Sequence, residues 1–228
     1  MPELTSREWR LQSRPVGMPK SEDFEIASVS IAEPGEGEVQ VRNTWMSVDP
    51  YMRGRMMDRE SYVPPFELGK AMQGGAVGEV TASNHPDYKP GDLVRSMLGW
   101  REAFTARPEE AMLEKLPETP LPPQVFLGVV GMPGLTAYSG LLRIGEPKEG
   151  DVVFVSGAAG AVGSLVCQIA KIKGCTVIGS AGGQEKCDYL RSIGVDEVID
   201  YRKHATREAL VGALQAVAPK GIDIYFDN

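Results

Sequence analysis

Cysteine and histidine are scarce in this 228-residue sequence, which has three of the first, Cys167, Cys175 and Cys187, and two of the second, His85 and His204. No two cysteines form a C-x-x-C pair, and a zinc site of nitrogen and sulfur ligands would need nearly all of these side chains to converge. No metal site is expected. No apolar run approaches the roughly 20 residues of a membrane span, and the opening residues lack the basic-then-apolar order of a secretory signal. Together with an odd, unpatterned cysteine count, this makes the cytoplasm the expected compartment. A net charge of −7 with no basic block argues against nucleic-acid and membrane partners and leaves small molecules. At 42% hydrophobic and 24% charged residues, the composition is that of an ordinary globular protein of one or two domains.

Up to about residue 120 the chain reads as short strands between turns, over 24–31, 39–45, 76–80, 93–94, 100–105 and 111–116. Four prolines between Leu116 and Pro123 remove backbone donors and break both helix and ladder. The expected boundary therefore divides a β-rich domain, 1–122, from a second domain, 123–228. Leu135, Tyr138, Leu141 and Leu142 then recur at helical spacing before Gly145. Strands over 151–156, 176–180, 197–200 and 222–226 alternate with helices over 161–173, 184–193 and 206–217. Parallel neighbours need crossover helices, so this β-α-β-α-β-α-β order predicts a doubly wound α/β sheet. The dinucleotide-binding form has six strands. The expectation is a chain truncated after the fourth, and one of this length alone is expected to bind a dinucleotide weakly and not to turn over.

Between the first of these strands and its helix lies Gly157-Ala158-Ala159-Gly160-Ala161-Val162-Gly163. Small residues there allow a tight turn and close backbone approach to a pyrophosphate, while the helix N-terminus offers free N–H donors. Gly160 and Gly163 are the expected cofactor-facing pair. An NAD site usually carries an acid at the end of the second strand, but here that strand runs into Ser180-Ala181-Gly182-Gly183. Without a carboxylate to repel a 2′-phosphate, and with Lys186 following as a counter-charge, NADPH is favoured. The competing reading of Lys186 is a solvated surface lysine. The sequence also lacks a Tyr-x-x-x-Lys after this turn, a Gly-x-Ser-x-Gly elbow and a Walker pattern. What remains is metal-free hydride transfer from a nicotinamide cofactor.

Five separated stretches carry a resemblance: Ser47-Val-Asp-Pro-Tyr-Met-Arg-Gly-Arg-Met56, Lys89-Pro-Gly-Asp92, Gly131-Met-Pro-Gly-Leu-Thr-Ala-Tyr138, Gly157 to Gly163, and Gly221-Ile-Asp-Ile-Tyr-Phe-Asp-Asn228. From about residue 9 onward the chain resembles the medium-chain dehydrogenase/reductase superfamily. Within it the resemblance is to the zinc-independent enone reductases of the leukotriene hydroxydehydrogenase and prostaglandin reductase group, the bacterial curcumin reductases above all. Zinc-dependent relatives carry Gly-His-Glu near the place of Met72-Gln73-Gly74-Gly75, which has neither His nor Glu.

The resemblance implies a β-rich GroES-like domain followed by a Rossmann domain, incomplete here, and a homodimer when full length. The implied activity is NADPH-dependent reduction of the carbon–carbon double bond of α,β-unsaturated ketones and aldehydes, curcumin-like enones included, by hydride transfer to the β-carbon. It assigns Gly160, Ala161, Val162 and Gly163 to the pyrophosphate, Lys186 and Tyr201 to the adenosine 2′-phosphate, Asn228 to the cofactor and Thr136 to the nicotinamide end. Tyr51 and Tyr62 are placed at the substrate pocket, where a phenol can hydrogen-bond a developing enolate oxygen. The alternative for both is a packing role. Arg53 and Arg55 are expected to be structural, paired with nearby carboxylates. No general acid is evident, and water or a cofactor ribose hydroxyl can supply the proton. Two other readings stay open, a quinone reductase of the same superfamily and a catalytically silent NADPH-binding fragment.

Overall fold

Alternation of apolar and polar residues turns Phe24–Ile31 into a strand (β2), and it pairs antiparallel with Leu4–Leu11 (β1), from Leu4 opposite Ile31 to Leu11 opposite Phe24. The computed structural model describes residues 4–61, 63–204 and 206–227. The chain divides into Met1–Leu127 and Gly128–Asn228. The short turn Pro123–Leu127, expected in the second domain, lies in the first unit, where Leu127 approaches Gly75.

In the first unit β3 (Val39–Met46) is followed by helix α1 (Tyr51–Arg55), β4 (Ala76–Ser83), β5 (Leu93–Ser96), β6 (Ala103–Ala106), the helical turn α2 (Pro108–Ala111) and β7 (Glu114–Lys115). Five strands form an antiparallel sheet in the order β6-β3-β4-β5-β7. Val39, Val41, Val80, Val94, Phe104 and Leu113 fill one core of this unit. A second core gathers Leu11, Met52, Met56, Phe66 and Met72. Gly78 is forced by close packing, since a Cβ there would lie 2.5 Å from the Arg42 carbonyl oxygen on β3.

Two expected strands are shorter than the sequence suggested. The one over 100–105 begins only at Ala103, because Trp100 has φ 62°, a left-handed conformation that no ladder accommodates. The one over 111–116 keeps only Glu114–Lys115, because Ala111 closes α2 and Met112 turns left-handed at φ 47°.

The second unit starts with helix α3 (Met132–Tyr138), which runs into a wider π-helical stretch, Ser139–Gly145. Then come β8 (Val152–Val155), α4 (Ala161–Ile172), β9 (Thr176–Ala181), α5 (Gln184–Ser192), β10 (Glu197–Asp200), α6 (Arg207–Val217) and β11 (Ile224–Phe226). The four strands are parallel, in the order β10-β9-β8-β11. This is the 3-2-1-4 order of the first four Rossmann strands. The apolar run in β8 is packed on both faces but buried on only one: Val153 and Val155 are buried with Val166 and Ala170 of α4 and Leu190 of α5, whereas Val152 and Phe154 are half-buried beside Leu210 and Leu214 of α6.

A side-chain cap fixes where α6 begins. Thr206, expected as the first helical residue, instead caps α6, its hydroxyl accepting from the Ala209 amide. The expected stripe of Leu135, Tyr138, Leu141 and Leu142 does not face one core, since Leu141 is fully buried while Leu135 and Tyr138 are more than half exposed.

All three cysteines are buried and free. Burial pushes the Cys167 thiol up to about 12. At about pH 8 only about one thiol in 10⁴ would then be ionised. Cys167 is therefore expected to resist a disulfide-exchange reagent in the native protein and to react once urea unfolds it. Fast native labelling of Cys167, located by peptide mapping, would contradict this burial.

Candidate functional site

The parallel sheet places three turns at the carboxyl ends of adjacent strands. The Gly157 to Gly163 turn follows β8, Gly182-Gly183 follows β9, and Tyr201–Lys203 follows β10. The strand order reverses between β8 and β11, which stay parallel, so this edge carries the crevice in which doubly wound sheets bind ligands.

In the first turn Gly157 is left-handed at φ 52°, and the Ala158 amide donates to the Ser180 carbonyl, tying the turn to β9. Gly160 and Ala161 are exposed and Val162 is half-buried. Among the described residues no acceptor is within hydrogen-bond reach of the amides of Ala161, Val162 and Gly163, the first of α4, and no side chain caps this helix. These free donors at the positive end of a helix dipole suit a pyrophosphate. Gly163 itself is buried, and a Cβ there would lie 2.5 Å from the Gly157 carbonyl oxygen and 2.8 Å from Ala158 Cα. Its missing side chain lets α4 sit against the turn.

The second and third turns meet at one corner. A Cβ on Gly182 would lie 2.5 Å from Tyr201 Oη and 2.9 Å from Arg202 Nε, so the tyrosine covers the glycine backbone. Gly183, at φ 97°, opens α5, on whose first turn Lys186 stands exposed, with no hydrogen bond or ion pair among the described residues. The Asp200 carboxylate accepts from the Gly183 and Arg202 amides. The Gly183 hydrogen bond is the main reason its carboxyl is held below the usual carboxylate range. Lys203 Nζ lies 3.5 Å from Gln184 Oε1. Arg202 and Lys203 were not singled out in the sequence, although a basic pair directly after a strand of the cofactor sheet was the available signal. Tyr201, Arg202 and Lys203 bring donors suited to a 2′-phosphate to the turn after β9, Lys186 follows on the first turn of α5, and no acid ends β9. The residues present thus fit NADPH.

The other expected residues are placed as follows. Thr136 is exposed on α3, which packs on α4. Asn228 and Tyr62 lie outside the described residues. The neighbour of Asn228, Asp227, is held at the end of β11 by Ser156 Oγ at 2.6 Å and Tyr225 Oη at 2.8 Å.

In the first unit, Met52 and Met56 of the Asp-Pro-Tyr-Met-Arg stretch are buried four residues apart, which leaves the half-buried Tyr51 lining a cavity of about 500 Å³. Arg53 and Arg55 line it too, and among the described residues neither pairs with a carboxylate. Arg53 donates to the Gly17 carbonyl at 2.6 Å. Arg55 donates to the Pro64 carbonyl and to Gln73 Oε1, both at 2.9 Å, with its guanidinium 4.2 Å from the Phe66 ring centroid. The carboxylate pairing expected from sequence is corrected accordingly. Burial near apolar Phe66 lowers the Arg55 pKa, and carbonyl dipoles replace an ion pair.

Residues 7–116 match the family described as N-terminal domain of oxidoreductase, and residues 161–228 match the family described as zinc-binding dehydrogenase. The chain is 47% identical to the NADPH-dependent curcumin reductase of Escherichia coli over 98% of its own length and 63% of that protein's. It is 42% identical to the NADP(+)-dependent 2-alkenal reductase of Nicotiana tabacum, over 99% of its length and 66% of the relative's. The chain belongs to the medium-chain dehydrogenase/reductase family, in its zinc-independent group. It thus spans just under two thirds of these relatives. The crystal structure of CurA from Vibrio vulnificus in complex with NADPH superimposes with a TM-score of 0.87 at 46% identity, over 97% of this chain and 64% of that one. Although one matching family is described as zinc-binding, the described residues contain no group of three His, Cys, Asp or Glu side chains able to hold a metal. None of the helices among them is long and apolar enough to cross a membrane.

Proposed function

We propose that the full-length protein is an NADPH-dependent reductase of carbon–carbon double bonds conjugated to a ketone or aldehyde, with curcumin-like dienones and alkenals as its substrate class. The observation that carries this reading is the acid-free end of β9, where Tyr201 covers the Gly182-Gly183 turn and Lys186 follows on the first turn of α5, in a chain 47% identical to a curcumin reductase. When bound, NADPH supplies the hydride that reaches the β-carbon. The amides of Ala161, Val162 and Gly163 hold the pyrophosphate, with Gly160 leaving it room to approach. Lys186 and Tyr201 hold the 2′-phosphate, Asn228 contacts the cofactor, and Thr136 borders the nicotinamide end. The first unit serves as the substrate domain and the second as the cofactor domain. The protein works in the cytoplasm as a homodimer on small molecules, with no nucleic-acid or membrane partner.

Tyr51 and Tyr62 serve the substrate. A phenol that hydrogen-bonds the carbonyl oxygen stabilises the negative charge that gathers there as the β-carbon is reduced. Tyr62→Phe is expected to lower kcat/KM for a linear enone about tenfold, the size of one lost hydrogen bond to a charged oxygen. Unchanged kcat and kcat/KM in Tyr62→Phe would remove Tyr62 from the reaction. The reading as a whole is tested by NADPH consumption with a curcumin-like dienone, a linear alkenal and a quinone. Consumption with the first two, and little with the quinone, is expected. Consumption with the quinone alone would make the protein a quinone reductase instead.

A further inference from the structure

An acid stands at the corner where a 2′-phosphate needs positive charge. Asp200 ends β10 directly opposite Ala181, the last residue of β9, and Tyr201, Arg202 and Lys203 follow it. A carboxylate turned toward a phosphate would repel it. This one is turned elsewhere: Oδ1 accepts from the Gly183 amide at 3.0 Å and from the Arg202 amide at 3.1 Å. The two amides belong to different turns. The Arg202 bond is local, since Asp200 is the N-cap of Tyr201–Lys203. The Gly183 bond reaches back 17 residues to the turn after β9, at the residue from which α5 starts. No side chain of Gly183 can cap α5, and its φ of 97° places it outside the conformation of an ordinary residue.

Past the ladder, the other links between these turns are side chains at the surface. Tyr201 Oη and Arg202 Nε lie over Gly182, and Lys203 Nζ stands 3.5 Å from Gln184 Oε1, the outer limit of a hydrogen bond. Tyr201, Arg202 and Lys203 are all exposed, so packing does little to hold them there. The Gly183 amide holds the Asp200 carboxyl low more than Lys203 or Arg202 does. The charge is answered mainly by backbone, which leaves the two basic side chains for a ligand.

We propose that Asp200 is a positioning residue for the choice of cofactor: its carboxylate clasps the turn after β9 to the turn after β10 and so holds Tyr201, Arg202 and Lys203 where a 2′-phosphate meets them. The proposal rests on the reading of this corner as the 2′-phosphate site, and it adds to that site an acid whose own charge opposes the ligand.

The test is fluorescence titration of the full-length protein with NADPH and with NADH, alongside a thermal melt. Asp200→Ser keeps a hydroxyl able to cap Tyr201–Lys203, but its oxygen is one bond closer to the backbone, so the bond to Gly183 is given up. NADPH binding is expected to weaken about tenfold and NADH binding by less than about twofold. Asp200→Asn keeps an acceptor of the same reach and is expected to hold or raise the wild-type preference. A wild-type preference in Asp200→Ser, or equal losses for the two cofactors, would overturn the clasp, as would a preference lost as fully in Asp200→Asn as in Asp200→Ser. Hydrogen exchange on the wild-type protein needs no variant: the Gly183 amide is expected to be protected before cofactor is added, and exchange at the rate of an unstructured chain would overturn the clasp too. Lys186→Glu in the same titrations separates the clasp from the reading beneath it. A preference lost in Lys186→Glu but kept in Asp200→Ser would leave the 2′-phosphate site standing and defeat the clasp. A preference lost only in Asp200→Ser would sustain the clasp and remove Lys186, and one kept in both variants would defeat clasp and site together.

Discussion

Gly163→Val is expected to remove measurable NADPH binding and to lower the thermal stability of the second unit. A Cβ at this position meets backbone on every near side, the Gly157 oxygen at 2.5 Å, Ala158 Cα at 2.8 Å and the Gly157 carbonyl carbon at 3.0 Å. Backbone cannot rotate away as a side chain can, so the N-terminus of α4 must lift off the turn. Overpacking of this kind costs about 1–3 kcal/mol. The larger effect falls on the ligand, because the free amides of Ala161, Val162 and Gly163 would no longer converge. Losing two charge-assisted hydrogen bonds to a pyrophosphate weakens binding by about 10²-fold or more. Fluorescence titration with NADPH measures the first effect and a thermal melt the second. Gly163→Ala should show a milder version of both. An unchanged NADPH affinity in Gly163→Val would mean that the turn after β8 does not hold the pyrophosphate.

The second large effect concerns the choice between cofactors. Lys186→Glu is expected to weaken NADPH binding by about 10²-fold while changing NADH binding little. The substitution removes an attraction to the 2′-phosphate and adds a repulsion in its place, whereas NADH carries no charge at that position. Each charge-assisted contact amounts to about 1.5–3 kcal/mol, or about one to two orders of magnitude in affinity. Lys186 is exposed and bonded to nothing among the described residues, so folding should be unaffected. Tyr201→Phe should reduce the preference by a smaller factor, since only one neutral donor is lost. Parallel titrations with both cofactors decide the matter. Equal losses for NADPH and NADH would show that Lys186 acts on something other than the 2′-phosphate.

Much of the fold could be read because burial and sequence pattern coincide. Phe24–Ile31 alternates, β8 is a run of four apolar residues with one face buried and the other half-buried, and Glu197–Asp200 lies between a glycine stop and a basic turn. β1 escaped notice because its most buried position in mid-strand is a serine: Ser6 is 0% exposed, its hydroxyl accepting from the Ala103 amide, while Trp9 is 41% exposed. Hydrophobic alternation has nothing to report in such a strand. The left-handed residues Trp100 and Met112 are invisible to pattern reading for a different reason, since neither is a glycine or an asparagine.

The candidate site was legible where it depends on glycines and on an absent acid. Short-range order along the chain showed the Gly157 to Gly163 turn and Lys186. Side chains that reach the site through tertiary register were harder. Arg202 and Lys203 arrive there only because Asp200 pairs with Ala181 across β10 and β9. That Arg53 and Arg55 line the same cavity as Tyr51 was not expected, because the sequence shows acids near both but not that neither pairs with one among the described residues.

Isotope transfer tests the central claim most directly. NADPH deuterated at the reactive C4 position is incubated with the full-length protein and a linear enone, and the product is examined by mass spectrometry and NMR. The account predicts a saturated ketone carrying one deuterium at the former β-carbon. An allylic alcohol deuterated at the carbonyl carbon, or an enone recovered unchanged without deuterium, would contradict it.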